Sequence, residues 1–117
     1  MRPVSCNIAD LGLPVDDLVR RICSVCSPVK IVVFGSHARG QAGPASDLDV
    51  LIVEEKSELP RYRRAAPYRM ALSDLWRDRD IDIVVWTQQE IQEWAGVPQA
   101  FISTVLREGR AVYEKPQ

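Results

Sequence analysis

Two apolar runs, Ile31 to Phe34 and Leu48 to Val53, flank a connection that begins Gly35-Ser36 and closes on Asp47-x-Asp49. The runs have the length and β-branched content of strands, and Val50 to Val53 is apolar on both faces, as a strand covered from each side must be. The chain therefore has to build a sheet around this pair. A glycine directly after a buried strand lets the backbone turn sharply and approach a ligand. The residues behind it are then placed to open a helix with free N–H groups. Such a turn is a candidate phosphate cradle. Asp47 and Asp49 stand two apart at the start of a strand, so their side chains leave one face roughly 6 to 7 Å apart. A pair of carboxylates suits a hard divalent cation such as Mg²⁺, which is usually held by one or two carboxylates together with substrate phosphates.

Gly35-Ser36, ten further residues and then Asp47-x-Asp49 resembles the signature of the DNA polymerase beta-type nucleotidyltransferase superfamily. The longer strings GSHARG and SDLDVLIV resemble the minimal nucleotidyltransferase (MNT) proteins, as does the ending LREGRAVYE. The resemblance implies an α/β fold with a small mixed β-sheet of three to four strands flanked by helices. It also implies a third carboxylate on a neighbouring strand, in a pattern reading apolar-Asp-apolar-Val. Asp82 matches it in Ile81-Asp82-Ile83-Val84. Asp80 has the same side-chain parity and is the runner-up, at a strand edge where a solvated cap is the simpler reading.

Around the glycine turn, Ser36 and Arg39 are three apart and share one side of a helical turn. The hydroxyl and first N–H groups are expected to hold terminal phosphates. Arg39 either adds positive charge there or ties the loop to a carboxylate. His37 is the sole histidine; it has no nucleophile partner pattern and is expected only to line the loop.

The rest of the chain reads as flanking helices and a return strand. Val15, Leu18, Val19, Ile22 and Val25 or Cys26 recur at helical spacing, with Asp16 and Asp17 in the first turn and Ser27-Pro28 as the stop. Ser57 to Arg79 reads as an interrupted helix, because Pro60 suits a first turn and Pro67 kinks or restarts it. Tyr68, Leu72, Leu75 and Trp76 form its apolar stripe. Arg61, Arg63, Arg64 and Arg69 make the one conspicuous basic cluster, for which a solvated face is the default and a nucleotide- or partner-binding face the alternative. Glu54 and Glu55 are expected as exposed charges closing their strand. Thr87 to Glu90 is a capping-box sequence. A last helix is expected to bury Phe101, Ile102, Val105 and Leu106 and to stop at Gly109, before an edge strand from Ala111 to Glu114.

At 117 residues the length prior is one domain, residues 1–117, with a single core. A net charge of −1 disfavours a broad basic surface for nucleic acid, so no stable nucleic-acid binding is expected. No stretch has the pattern of a secretory signal or the length of a membrane span, and a cytoplasmic location without membrane attachment is the expectation. Cys6, Cys23 and Cys26 lack zinc-like spacing and read as buried or half-buried thiols.

Taken with these limits, the resemblance implies a nucleotidyltransferase with one or two Mg²⁺ ions held by Asp47, Asp49 and Asp82. Gly35, Ser36 and Arg39 would face ATP. In MNT proteins of toxin–antitoxin systems, AMP passes from ATP to a tyrosine of a partner HEPN ribonuclease toxin, which is thereby silenced. The alternatives are an antitoxin acting by binding alone and a nucleotidyltransferase with a small-molecule acceptor.

Overall fold

The computed structural model describes residues 15–35, 48–74 and 81–115. Helix α1 (Val15–Val25) precedes strand β1 (Lys30–Phe34), and β2 (Leu48–Glu54) follows the connection. A 3₁₀ turn at Arg61–Arg63 leads into α2 (Ala66–Leu72), then come β3 (Ile81–Thr87), α3 (Gln88–Trp94), α4 (Phe101–Glu108) and β4 (Arg110–Glu114). The four strands form one mixed sheet in the order β3-β2-β1-β4. β1 runs antiparallel to both β2 and β4, whereas β2 and β3 are parallel. A parallel pair needs a crossover rather than a hairpin, and the 3₁₀ turn and α2 lie within it.

Strand alternation divides the core into two layers. On one face, Ile31, Val33, Leu48, Val50, Ile52, Ile83 and Val85 pack with Val15, Leu18 and Ile22 of α1 and with Tyr68 and Leu72 of α2. On the other, Val32, Leu51, Val53 and Trp86 pack with Ile102 and Val105 of α4, with Ile91 of α3 alongside. The buried positions of α1, Val15, Leu18, Val19 and Ile22, follow the predicted helical stripe. Pro67 sits in the first turn of α2, so it restarts the helix instead of kinking it, as its missing N–H allows.

The fourth helix departs from expectation. Ile102 and Val105 are buried, but Phe101 and Leu106 are 53% and 36% exposed. Eight residues of helix present only one narrow stripe to the sheet, and Ile102 and Val105, three apart, fill it. Phe101 instead meets Phe34 edge-on, with ring centroids 5.8 Å apart. Gly109 ends the helix as expected; a Cβ there would press on the Val105 carbonyl and on Val32. Among the described residues no helix is long and apolar enough to cross a membrane.

Candidate functional site

The strand register assembles the site. Phe34 pairs with Asp49 across β1 and β2, and Asp49 pairs with Asp82 across β2 and β3. Residues directly opposite in register point to the same face. Asp49 shares its parity with Leu51 and Val53, and Asp82 with Val84 and Trp86, so both acids lie on the α3/α4 face, at the end of the row Phe34, Asp49, Asp82. One row further in, Val32, Leu51 and Val84 are already core or packed against it. The carboxylates thus stand where the helical cover stops. Asp49 is half-buried and Asp82 exposed.

Gly35 closes the site from the β1 side. Its φ is +75°, a conformation that costs an L-residue about 1 to 2 kcal/mol. A Cβ at this position would also overlap the Asp49 carboxylate. The glycine is therefore required twice, once for the turn and once so that the backbone can lie against the acid. Gly35→Ala is expected to displace Asp49 and lower activity at least tenfold, with a loss of about 1 to 2 kcal/mol in stability. Denaturant unfolding alongside an activity assay checks both; wild-type values in each would remove this account of the turn.

Neighbouring strands lie about 4.8 Å apart. Side chains that leave neighbouring strands on one face can reach a shared cation. Their oxygens make a donor set that fits Mg²⁺ better than a soft metal. Asp47, Ser36 and Arg39 lie outside the described residues, as do His37 and Asp80. Among the described residues no group of three or more His, Cys, Asp or Glu side chains forms a metal site, so the described part of the centre is the pair Asp49 and Asp82 with Gly35 beside it.

Two further polar clusters depart from the expectation of solvated charges at Arg64 and Glu54, whereas Arg61, Arg63, Arg69 and Glu55 are exposed as expected. Arg64 is buried, 7% exposed. Its guanidinium donates to both oxygens of Glu90, at 2.7 and 3.2 Å, and through Nε to the Leu59 carbonyl at 2.9 Å. Glu90 Oε1 also accepts from the Thr87 N–H at 2.9 Å, while the Thr87 hydroxyl accepts from the Glu90 N–H at 3.2 Å. The capping box read from the sequence is present, and its carboxylate does a second job as the counter-ion of Arg64. Arg61 lies over the Trp86 ring, 4.1 Å from its centroid. A cavity of about 600 Å³ opens beside these groups.

The second cluster lies on the α1/α2 face. Glu54 accepts a hydrogen bond from the Tyr68 hydroxyl, and the Cys26 thiol meets the same hydroxyl. Burial, followed by the bonds to Cys26 and Glu54, pushes the Tyr68 hydroxyl well above the ordinary phenol range. Burial likewise raises the Cys26 thiol. Neither group is ready to ionise near neutrality, and the cluster ties α2 to the end of β2 and the residue following α1.

A family model of the nucleotidyltransferase domain matches residues 15–113, and thus spans all three elements of the site. No curated protein is significantly similar in sequence. Among solved structures, a crystal structure from Sulfolobus solfataricus whose assignment as a nucleotidyltransferase is provisional superposes with a TM-score of 0.61 at 20% identity. The match covers 92% of this chain and 83% of that one, so the two share a fold.

Proposed function

The chain belongs to the nucleotidyltransferase domain family, and from that premise we propose that it transfers AMP from ATP, with Mg²⁺, to a tyrosine hydroxyl of a partner HEPN-type ribonuclease toxin, acting as its antitoxin. The observation that supports nucleotidyl transfer most directly is the Asp49–Asp82 register with Gly35 packed against Asp49. The toxin partner and tyrosine acceptor draw on the likeness of GSHARG, SDLDVLIV and LREGRAVYE to MNT proteins.

Asp49 and Asp82, together with Asp47, would hold the metal, which when bound supplies Lewis-acid stabilisation of the charge developing on the phosphoryl oxygens. The backbone at Gly35 and the Ser36 hydroxyl bind the β- and γ-phosphates and turn the α-phosphorus toward the acids. Asp82, the more exposed carboxylate, orients the acceptor hydroxyl and receives its proton. The acceptor oxygen forms a bond to the α-phosphorus as the bond to the β-phosphate oxygen breaks, and pyrophosphate leaves. Positioning and preorganised charge do most of this work.

The test is incubation with Mg²⁺ and ATP labelled at either the α- or the γ-phosphate, with the protein that co-purifies with this chain. The expected result is stable label on that partner from the α-position only, and none when Mg²⁺ is chelated before ATP is added. Label from the γ-position would indicate phosphorylation, and a tight complex that never acquires label would leave neutralisation by binding alone.

A further inference from the structure

Phe101 is the first residue of α4 and stays 53% exposed, although its neighbour Ile102 is sealed in the core. Its ring meets that of Phe34 at an interplanar angle of 80°. An edge-to-face contact of this kind occupies at most one face of either ring, so Phe101 keeps a face that Phe34 does not use. Phe34 is the fixed member of the pair. It is half-buried, packs against the layer formed with α4, and pairs in register with Asp49. The next residue is Gly35, whose backbone lies against the Asp49 carboxylate. An aromatic surface therefore stands on the α3/α4 face, one strand over from Asp49 and directly before the glycine turn.

The nucleotidyl-transfer reading places the leaving phosphates at Gly35 on the β1 side and the acceptor hydroxyl at Asp82 on the β3 side. Entering and leaving oxygens are opposed in an in-line displacement, so they lie along the row Phe34, Asp49, Asp82. The ribose and base must leave the α-phosphorus to one side of that line. Beneath it is the sheet; above it is the helical layer from which Phe101 projects.

We propose that Phe101, steadied by Phe34, is the platform on which the base of the bound nucleotide stacks. Stacking on an aromatic side chain raises affinity by about five- to a hundredfold and tolerates any base, because every base has a π-face. Neither phenylalanine ring carries a hydrogen-bonding group, so this platform ranks bases by stacking surface, purines above pyrimidines, and does not separate adenine from guanine. The proposal rests on the nucleotidyl-transfer reading for the placing of the phosphates, but the stacking is measured without any transfer.

The experiment is calorimetric titration of the full chain with the Mg²⁺ complexes of ATP, GTP, UTP and inorganic tripolyphosphate. ATP and GTP are expected to bind within a few-fold of each other, UTP more weakly, and tripolyphosphate at least tenfold more weakly than ATP. Phe101→Ala is expected to weaken ATP at least tenfold and leave tripolyphosphate unchanged, whereas Phe101→Tyr, which keeps the ring, should bind ATP as the wild type does. Thermal melts of both variants should stay within a few degrees of wild type. Equal affinity of the wild type for ATP and tripolyphosphate, or wild-type ATP binding by Phe101→Ala, overturns the platform and leaves the phosphate site. An equal loss of ATP and tripolyphosphate in Phe101→Ala overturns it in favour of a structural role. Unchanged ATP binding with loss of the co-purifying protein assigns Phe101 to a partner surface instead. Binding of neither ligand by the wild type overturns the nucleotide reading and the platform together. If the ligands rank as expected but α-labelled ATP never yields labelled protein, the platform stands and transfer falls.

Discussion

Asp49→Asn is expected to reduce AMP transfer about a thousandfold or more while shifting the melting temperature by only a few degrees. Each tenfold in rate corresponds to about 1.4 kcal/mol, and a metal centre stabilises transition-state charge by several kcal/mol, so losing a shared ligand is felt over orders of magnitude. The fold does not depend on the charge. Asp49 is half-buried, the carboxamide is isosteric, and β2 is held by its ladders and by Val50, Leu51 and Ile52, each 0% exposed. Calorimetric titration with Mg²⁺·ATP and the transfer assay report the two effects separately. Transfer at the wild-type rate by this variant would remove Asp49 from the centre.

Arg64→Ala is expected to cost about 3 to 4 kcal/mol of stability. It removes the bidentate partner of Glu90 and leaves the Leu59 carbonyl without its donor, and polar groups stranded in partly buried positions carry their full desolvation cost. The same pair predicts a pH dependence. The Glu90 carboxyl is held at about 2, below its ordinary 4.5, chiefly by the hydrogen bonds from Arg64, with the Thr87 N–H and the nearby Arg61 assisting. A carboxyl whose folded value is depressed stabilises the protein above its unfolded value, and that stability is lost as pH falls from about 4.5 toward 2. The displacement is worth roughly 3 kcal/mol. Denaturant midpoints at pH 6 and pH 3 should therefore differ strongly in the wild type and much less in Glu90→Gln. An identical acid loss in both would place the dependence elsewhere.

Much of the scaffold was legible because it depends on local patterns. The apolar runs after Lys30 and before Glu54 became β1 and β2, the glycine after Phe34 took positive φ, and Thr87 with Glu90 formed the capping box. The meeting of Asp49 with Asp82 required two strands over thirty residues apart to pair in parallel; family likeness supplied that match where the periodicity of either strand could not. Other features depended on tertiary direction. Nothing in a run of four arginines says which one turns inward; Arg64 does so because it follows the 3₁₀ turn and finds Glu90. Glu54 was readable in principle, since it shares the parity of Val50 and Ile52 and so points to the α1/α2 face, where Tyr68 and Cys26 receive it. Phe101 and Leu106 were misjudged because hydrophobicity alone does not say how wide a stripe a short helix buries.

The pairing of Asp49 with Asp82 also has a consequence for folding fidelity. A slip of β2 by one residue against its neighbours would turn Val50 and Ile52 away from α1 and α2, exchanging every buried side chain for its opposite. Because β2 is covered on both faces, the heavier cost falls on Asp49, which would turn into the apolar layer under α1 and α2, where an unpaired carboxylate costs several kcal/mol. The register thus proofreads the centre. A chain mispaired by one position would carry a buried charge in its core, so the acids are brought together only where the core is already correct.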